Sequence, residues 1–373
     1  MSLSHDSQEI TIEIARTSDD PSLRSLLKEM PMPGDISLSF RREPDFFQAS
    51  HVEGRESDVI VGRTGEGEIV GMGTRAEKQG YINGQLSCFG YLSNLRLKPQ
   101  YRSLFLLGRG FQTFKELHFK RNVKLYLATI TEDNKRAEKV LTSRRAGLPF
   151  CREQGYLHTF ALRPTRTQDV KKKFPFIIRP ADESDALVLL DFLNRHGKNR
   201  QFFPRYETDD FKRGLLQGLK LPDIFLALKG KEIIGSLGFW DQSSYKQNVV
   251  HKYTPRLRRV LWAYNVYASL SGKPFLPEER RALKIRAGSI CCMKDDNAEV
   301  FRALLQYGLS RPGFKDIHSF VIGFHEKDPL LKVVKERPHH LYKSRLYIIY
   351  WEDGHAAYRK LDQRVPYIEL GGL

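Results

Sequence analysis

The residues best suited to binding a ligand lie at the end of one predicted strand and just after it, in the first half of the chain. The strand over 85–97 runs into NLRLKPQYR at 94–102 and then into a predicted helix that contains Gly108, Arg109 and Gly110. Backbone N–H groups at a helix N-terminus bind anions, an arginine adds charge-assisted hydrogen bonds, and glycine allows close approach. Together these features can bind a phosphate group.

The other reactive residue types form no recognisable site. The cysteines are too few and too scattered for a disulfide framework, and neither CxxC nor HExxH occurs. The histidines lack carboxylate or cysteine partners at ligand spacing. We therefore expect no metal site and no cysteine nucleophile.

The segments that precede the anion-binding pattern occur twice in the chain. ITIEIARTSDD at 10–20 resembles FIIRPADESD at 176–185, and each is a β-rich run followed by an acidic turn. The hairpins that end in EIVG and in EIIG also correspond. Ile14 and Ile178 are 164 residues apart, as are Glu68 and Glu232, and this shared offset indicates a tandem duplication.

Each copy alternates strands with helices, which is typical of an α/β sheet of mixed direction. The second copy is longer by about 30 residues, and the extra segment is predicted at 242–286. In the first copy, strands are predicted at 85–97, 124–130 and 155–162, and helices at 101–121 and 134–145. In the second, strands are predicted at 287–293, 317–323 and 345–351, and helices at 297–309 and 330–336.

The duplication predicts two domains, at 1–163 and 175–373, joined by a basic linker at 164–174. The insertion at 242–286 interleaves ten Lys and Arg side chains with Tyr and Trp, and VLWAYNVYASL at 260–270 is typical of an apolar helix. Such a helix packs between domains or against a second copy, with its basic face in solvent. Basic and aromatic side chains together also bind single-stranded nucleic acid, and a role in binding nucleic acid or an acidic substrate is the alternative.

The charge balance predicts an anionic partner. The chain carries 61 Lys and Arg against 44 Asp and Glu, a formal charge of +17. Aromatic residues make up 11%, which excludes a disordered chain. No apolar run approaches the roughly 18 residues that span a bilayer, and MSLSHDSQEI lacks the features of a secretory signal. We expect a cytoplasmic protein without a membrane partner.

In its motifs and element order the sequence resembles the GCN5-related N-acetyltransferase (GNAT) superfamily. IRPADESDA at 178–186 is similar to the start of such a domain, and NLRLKPQYR to its fourth strand running into the cofactor loop. TEDNKRA at 131–137 is similar to the motif whose Asn and Ala open the fourth helix. The resemblance covers nearly all of 8–163 and, more weakly, 174–351. It implies an α/β mixed sheet with two tandem GNAT-like acyl-CoA N-acyltransferase domains.

The resemblance also implies acetyl-CoA as a co-substrate bound by the first copy. Arg102 matches the first position of the family's R/Q-x-x-G-x-G/A motif, but Phe105 and Leu107 occupy the glycine positions. We expect backbone N–H groups to bind the pyrophosphate, and the alternative is that the glycines only pack the helix. The predicted cofactor-binding residues are Leu95, Arg96, Leu97, Arg102, Ser103, Leu104, Phe105, Gly108, Arg109, Gly110, Asn134 and Ala137.

Acyl transfer by direct attack of an amine needs a base for the ammonium proton and a donor for the oxyanion. The resemblance implies a carboxylate on the fourth strand and a tyrosine after the Asn/Ala pair, but this sequence has neither. Glu132, Asp133 and Tyr126 are the predicted catalytic residues. Helix capping by the two acids and core packing of the tyrosine are the alternatives. A backbone N–H near Leu97 is the predicted oxyanion donor.

The second copy departs further from the motif. MKDDNAEV at 293–300 has neither arginine nor glycine, and Asp295 and Asp296 would repel a pyrophosphate. We predict a degenerate copy that forms a wall of the acceptor cleft. The leading functional hypothesis is an acyl-CoA-dependent N-acyltransferase that acts on a small amine or a peptide amine. The alternatives are a catalytically silent scaffold or CoA-binding module, and a protein that binds nucleic acid through 242–286. The oligomeric state stays open.

Overall fold

A computed structural model describes residues 10–32, 34–165, 174–314 and 317–373. The predicted linker lies outside the described residues from 166 to 173. Strands and helices alternate through the described chain as the sequence predicts. The division into domains at 1–163 and 175–373 stays a prediction.

The strands follow the short apolar and alternating runs of the sequence. They are β1 (Thr11–Ile14), β2 (Ile36–Arg41), β3 (Glu56–Arg63), β4 (Ile69–Ile82), β5 (Gln85–Leu97), β6 (Tyr126–Thr131), β7 (Phe150–Leu162), β8 (Ile177–Pro180), β9 (Phe203–Pro204), β10 (Ile224–Lys229), β11 (Glu232–Trp240), β12 (Gln247–Tyr253), β13 (Ile285–Met293), β14 (Ser319–His325) and β15 (His339–Tyr350).

Helices connect the strands and pack against them. They are α1 (Asp20–Glu29), α2 (Ser50–Glu53), α3 (Leu104–Phe119), α4 (Lys135–Leu141), α5 (Ala186–Gly197), α6 (Pro255–Ser271), α7 (Ala298–Leu309), α8 (Leu331–Lys335) and α9 (His355–Arg359). The helix predicted over 101–121 is α3, whose buried side chains include Leu106, Phe111, Phe114 and Leu117. These residues recur at helical spacing, which is why one face of α3 lies on the sheet.

One mixed sheet joins the two halves of the described chain. Its strand order is β1-β3-β4-β5-β6-β15-β7-β14-β13-β11-β10-β8, and β9 pairs with the far end of β4. Strand β15 lies between β6 and β7, where Ile348 pairs with Leu127 and with Arg152. Strand β7 in turn lies between β15 and β14. Each half therefore contributes one strand that pairs with strands of the other half. Separating the halves would break the backbone hydrogen bonds of β7 and β15.

The two halves repeat the same irregularity next to their central strands. Strand β5 bulges at Asn94 (φ 52°), opposite the step from Met72 to Thr74 in β4. Strand β13 bulges at Ile290 (φ 42°), opposite the step from Ser236 to Gly238 in β11. A bulge at the same place in both copies supports the duplication read from the sequence.

The offset between the copies is not constant. Thr74 and Gly238 are 164 residues apart, as the hairpins predict. At the start of each copy the corresponding groups are Asp19 and Asp185, which accept hydrogen bonds from the N–H groups three residues earlier at 2.8 and 2.9 Å. They are 166 residues apart, so the pairing of Ile14 with Ile178 was wrong by two residues.

The extra residues of the second copy lie between β11 and β13, within the predicted insertion. They form β12 and α6, and this confirms the helix predicted over 260–270. Strand β12 pairs with β2 in a separate two-stranded sheet. The inner side of α6 packs Leu257, Leu261 and Tyr264 against Val250 and Tyr253 of β12. The insertion therefore connects the second half to the first.

Candidate functional site

A cavity of about 640 Å³ lies beside the diverging ends of β5 and β6. These parallel strands pair only at Gly90–Tyr126 and Tyr91–Leu127, although β5 continues to Leu97. The rest of the wall comes from α3, α4, strands β3 and β4, and the segment at the end of α1. The predicted cofactor residues that the structure brings together along this cavity are Leu95, Arg96, Leu97, Arg102, Ser103, Leu104, Gly110, Asn134 and Ala137.

Three predicted cofactor residues do not line the cavity. Phe105 is 74% exposed on the first turn of α3. Arg109 points to the chain start, where its Nη1 donates to the carbonyl oxygen of Ile10 at 2.7 Å. A Cβ on Gly108 would lie 2.3 Å from the carbonyl oxygen of Ala146, so this glycine serves close packing. The helix-packing alternative therefore holds for Gly108.

The mouth of the cavity is built to receive negative charge. Ser103 caps α3 by accepting a hydrogen bond from the N–H of Leu106 at 3.1 Å, and Ser103 and Leu104, at this positive end of the helix, line the cavity. Arg102 donates from Nε to the carbonyl oxygen of Leu97 at 3.1 Å. Arg96 and Arg136 also line the cavity. The sequence analysis missed Arg136, although it lies inside the TEDNKRA motif.

The bulge in β5 shapes the inner end of the cavity. Asn94 holds its left-handed conformation by donating from Nδ2 to Oγ of Ser93 at 3.0 Å and to Oγ1 of Thr74 at 3.3 Å. A bulge re-aims the backbone groups that follow it. Leu95, the next residue, lines the cavity. The predicted oxyanion donor, a strand N–H near Leu97, therefore has its best candidate at this bulge.

Tyr126, a predicted catalytic residue, belongs to a buried polar network rather than to the cavity wall. Its hydroxyl accepts from Nε of Arg75 at 3.0 Å and lies 3.0 Å from Nδ1 of His118. Nε2 of His118 lies 2.9 Å from Asp353. Burial raises the pKa of Tyr126 to about 12. The side chain is fully buried, as the core-packing alternative anticipates.

Glu132 and Asp133, the other two predicted catalytic residues, lie in the turn between β6 and α4. The N–H of Glu132 donates to the carbonyl oxygen of Lys343 on β15 at 3.1 Å. The residue that caps α4 is Asn134, whose Oδ1 accepts from the N–H of Ala137 at 3.1 Å. Neither acid lines the cavity.

A buried ionic cluster contacts β5 at Ser93, the residue before the bulge, and its members do not line the cavity. Glu53 of α2 forms an ion pair with Arg42 and accepts a hydrogen bond from Oγ of Ser93 at 3.4 Å. Nζ of Lys246 is 4.0 Å from Oε1 of Glu53. Burial lowers the pKa of Lys246 to about 7 and that of nearby Lys78 to about 8, against the raising effect of Glu53 on both. We call these five residues the Glu53 cluster.

The sequence carried no signal for the Glu53 cluster. Its members come from α2, the segment after β2, strands β4 and β5, and the loop before β12, which are far apart in the chain. Perturbed lysines beside a buried carboxylate are typical of functional sites. The cluster therefore joins the cavity as part of the candidate site.

The buried lysine predicts a pH dependence of stability. An unfolded lysine titrates near 10.4, whereas Lys246 titrates at about 7 in the folded chain. Between these values the unfolded state binds more protons, so the free energy of unfolding rises with pH. We expect Lys246→Met to reduce this rise between pH 7 and 9 by about 1 kcal/mol per pH unit in urea unfolding. Lys252→Met, at an exposed position on β12, the strand that begins just after Lys246, is the control. An unchanged slope in Lys246→Met would contradict the assignment.

In the second half, the backbone N–H at the corresponding bulge already donates to a side chain. The N–H of Ile290 donates to Oε2 of Glu369 at 2.8 Å. The hydroxyls of Tyr206 and Tyr367 donate to the same oxygen at 3.1 and 2.7 Å. Asp296, in the loop that corresponds to the cofactor loop, bonds Arg200 at 2.6 Å. This arrangement agrees with the predicted degenerate copy, because the bulge N–H is already used.

No group of three His, Cys, Asp or Glu side chains among the described residues could hold a metal ion. Within the same residues, no helix has both the length and the apolar character needed to cross a bilayer.

Solved structures with the same arrangement of elements are GNAT acetyltransferases and N-myristoyltransferases. A fungal multi-domain GH3 β-N-acetylglucosaminidase with a GCN5-related glucosamine N-acetyltransferase region matches 93% of this chain with a TM-score of 0.61 and 11% identity. The Saccharomyces cerevisiae N-myristoyltransferase with bound myristoyl-CoA matches 93% with a TM-score of 0.59 and 11% identity. The chain has the GNAT fold.

The coverage shows how far the likeness extends. The chain spans 39% of the length of the fungal protein and 84% of that of the yeast enzyme. A GNAT protein from Sphaerobacter thermophilus matches 98% of both chains, with a TM-score of 0.54 and 11% identity. No family model and no curated protein matches the sequence. The predicted mixed sheet with a tandem GNAT-like arrangement is confirmed at the level of fold.

Proposed function

We propose that the chain is an acyl-CoA-dependent N-acyltransferase whose first half binds the thioester and transfers its acyl group to an amine. The observation that carries the proposal is the cavity beside β5. It combines a diverging strand edge, a bulge, a helix N-terminus and three arginines, Arg96, Arg102 and Arg136. A CoA thioester needs these features together, because it carries a pyrophosphate, two amides and a carbonyl that becomes an oxyanion.

Each part of the cavity has a proposed role in the reaction. The arginines and the N-terminus of α3 hold the pyrophosphate, and the edge of β5 at Leu95–Leu97 pairs with the pantetheine amides. A backbone N–H at the bulge polarises the thioester carbonyl. The amine nitrogen forms a bond to that carbon, and the carbon–sulfur bond then breaks. The thiolate leaves without a dedicated acid, since a thiol titrates near 8.5.

Glu53 is the proposed acceptor of the ammonium proton, directly or through one water. Among the described carboxylates it is the one that contacts Ser93, the residue before the bulge. Glu29 also lines the cavity, but it lies 3.9 Å from Lys98, beyond the end of β5. We assign no proton transfer to Glu132 or Asp133, which lie in the turn between β6 and α4. We assign none to Tyr126 either, because its hydroxyl is held by Arg75 and His118.

Binding of acetyl-CoA, measured by isothermal titration calorimetry, tests the site. Arg102→Glu is expected to weaken binding about tenfold or more, because it replaces a cation at the pyrophosphate with an anion. Arg109→Glu is the matched control on the same helix, since Arg109 points to Ile10 rather than to the cavity. Absence of heat at millimolar acetyl-CoA in the wild type, or an equal loss in both variants, would overturn the proposed site.

A CoA-binding module without turnover is the second candidate. It is favoured by the complete burial of Glu53 and by its pairing with Arg42, which leave its carboxylate little room for an acceptor. Release of free thiol from CoA thioesters with acetyl to myristoyl chains, measured over a panel of amines and peptides, separates the two candidates. Binding without thiol release would favour the module. Thiol release that depends on an amine supports the transferase.

A further inference from the structure

Helix α6 turns an apolar face to solvent that no described element covers. Its inner side packs on β12, and its outer side exposes large apolar residues over three turns. Their exposed fractions are 50% for Val260, 79% for Trp262, 45% for Val266, 52% for Tyr267 and 85% for Leu270. Scattered apolar residues are normal on a protein surface, but a contiguous face of this kind marks an interaction site.

The charged side chains of α6 and of the residues that flank it in the sequence all have one sign. Between Lys252 and Lys273 the sequence contains five cations and no acidic residue. Three of them, Arg256, Arg258 and Arg259, are exposed on the first two turns of α6. Lys273 follows the last turn and lies 5.6 Å from the ring of Tyr267. An apolar face flanked at both ends by cations is complementary to a surface with an apolar interior and anionic groups above it.

We propose that the outer face of α6 docks on an anionic lipid surface. Leu270, Val266 and Trp262 would enter the boundary between headgroups and acyl chains, and the flanking arginines and Lys273 would pair with lipid phosphates. Tryptophan suits this depth because its ring is apolar and its N–H is polar. A surface contact requires no spanning segment, so the sequence-based expectation of no membrane partner does not apply to it. The proposal is independent of acyl transfer.

Two other occupants fit the face less well. In a symmetric dimer formed through α6, the like-charged ends of two helices would meet and repel each other. Single-stranded nucleic acid would use the arginines and could stack on Trp262. However, Val260, Val266 and Leu270 offer a base no stacking surface, and their exposed area would stay uncovered. The lipid surface matches both the apolar and the cationic part.

Vesicle binding tests the proposal on the full chain. Sedimentation with vesicles of phosphatidylcholine and phosphatidylserine is expected to show binding that falls in pure phosphatidylcholine and at high salt. Trp262→Ser combined with Leu270→Ser is expected to lower the partition coefficient at least tenfold. Leu187→Ser, at a 69% exposed position of α5, is the control that should bind like the wild type.

Tryptophan fluorescence gives a second readout. Trp240 and Trp351 are buried, so a blue shift on vesicle addition reports Trp262, the one remaining tryptophan. Equal partition of the double variant and the wild type, or no blue shift when vesicles bind, would overturn the proposal. So would a dimer, or a complex with single-stranded oligonucleotide, that the double substitution abolishes while vesicle binding is absent.

Discussion

Replacing Glu53 with glutamine is expected to slow acyl transfer by about a hundredfold or more, because general bases contribute about 10²–10⁴ to enzymatic rates. The glutamine keeps the size of the side chain and an oxygen that accepts from Arg42 and Ser93, but it cannot take a proton. The expected loss is in kcat, and the affinity for acetyl-CoA should stay within about twofold, since the cavity is lined by other residues.

Two further variants separate catalysis from folding in this experiment. Glu56→Gln, three residues away on a side chain that is 65% exposed, should transfer acyl groups like the wild type. Ser93→Ala removes the hydrogen bond to Glu53 and one of the two that hold Asn94 in the bulge, so it is expected to lower kcat by a few fold and the free energy of unfolding by about 1 kcal/mol. A folded Glu53→Gln that binds acetyl-CoA and retains the wild-type kcat would exclude Glu53 as the base.

The fold was predictable because each element carries its own local pattern. Strand β5 was predicted from an apolar run that ends before Pro99, and helix α3 from apolar residues that recur at helical spacing. Both predictions match the observed bounds within a few residues. The strand predicted at 155–162 begins at Phe150 in the structure, and the helix predicted at 134–145 ends at Leu141. Element ends depend on tertiary contacts, such as the pairing of Phe150 with Tyr350, which periodicity does not contain.

The exchange of β7 and β15 was not predictable from local patterns. Both were found as strands, but the partner of a strand depends on which other edges are free once the sheet forms. The backbone of β6 pairs with β15 from Ser344 to Ile349, more than two hundred residues away in the chain. The domain boundary drawn at 163 follows composition alone, whereas the sheet crosses it.

The cavity was predictable where a single segment supplies the wall. Leu95 to Leu97 and Arg102 to Leu104 are consecutive in the sequence, and all of them line it. Arg109 was placed with them because the spacing of a loop cannot show which way a side chain points on the following helix. The Glu53 cluster was missed for a different reason, since its members come from five separate segments and only the folded chain brings them together.

Arg75→Met is expected to destabilise the chain by about 3–5 kcal/mol, the cost of removing one partner from a buried ionic network. The Arg75 side chain is fully buried. Its Nη1 donates to Asp58 at 2.7 Å, Nη2 forms an ion pair with Glu77, and Nε donates to Tyr126. Methionine fills a similar volume but leaves both carboxylates without their buried partner. Urea unfolding at pH 7 measures the loss.

Arg121→Met is the matched control, because Arg121 approaches the same carboxylates from the surface, at 3.7 Å from Asp58 and 3.9 Å from Glu77. Its side chain is 33% exposed, so about 1 kcal/mol or less is expected. Tyr126→Phe should cost about 1–2 kcal/mol and leave kcat unchanged, since the hydroxyl serves this network rather than the cavity. A large loss of kcat in a stably folded Tyr126→Phe variant would show that the tyrosine takes part in the reaction. Equal destabilisation by the two arginine variants would show that burial does not govern the strength of this network.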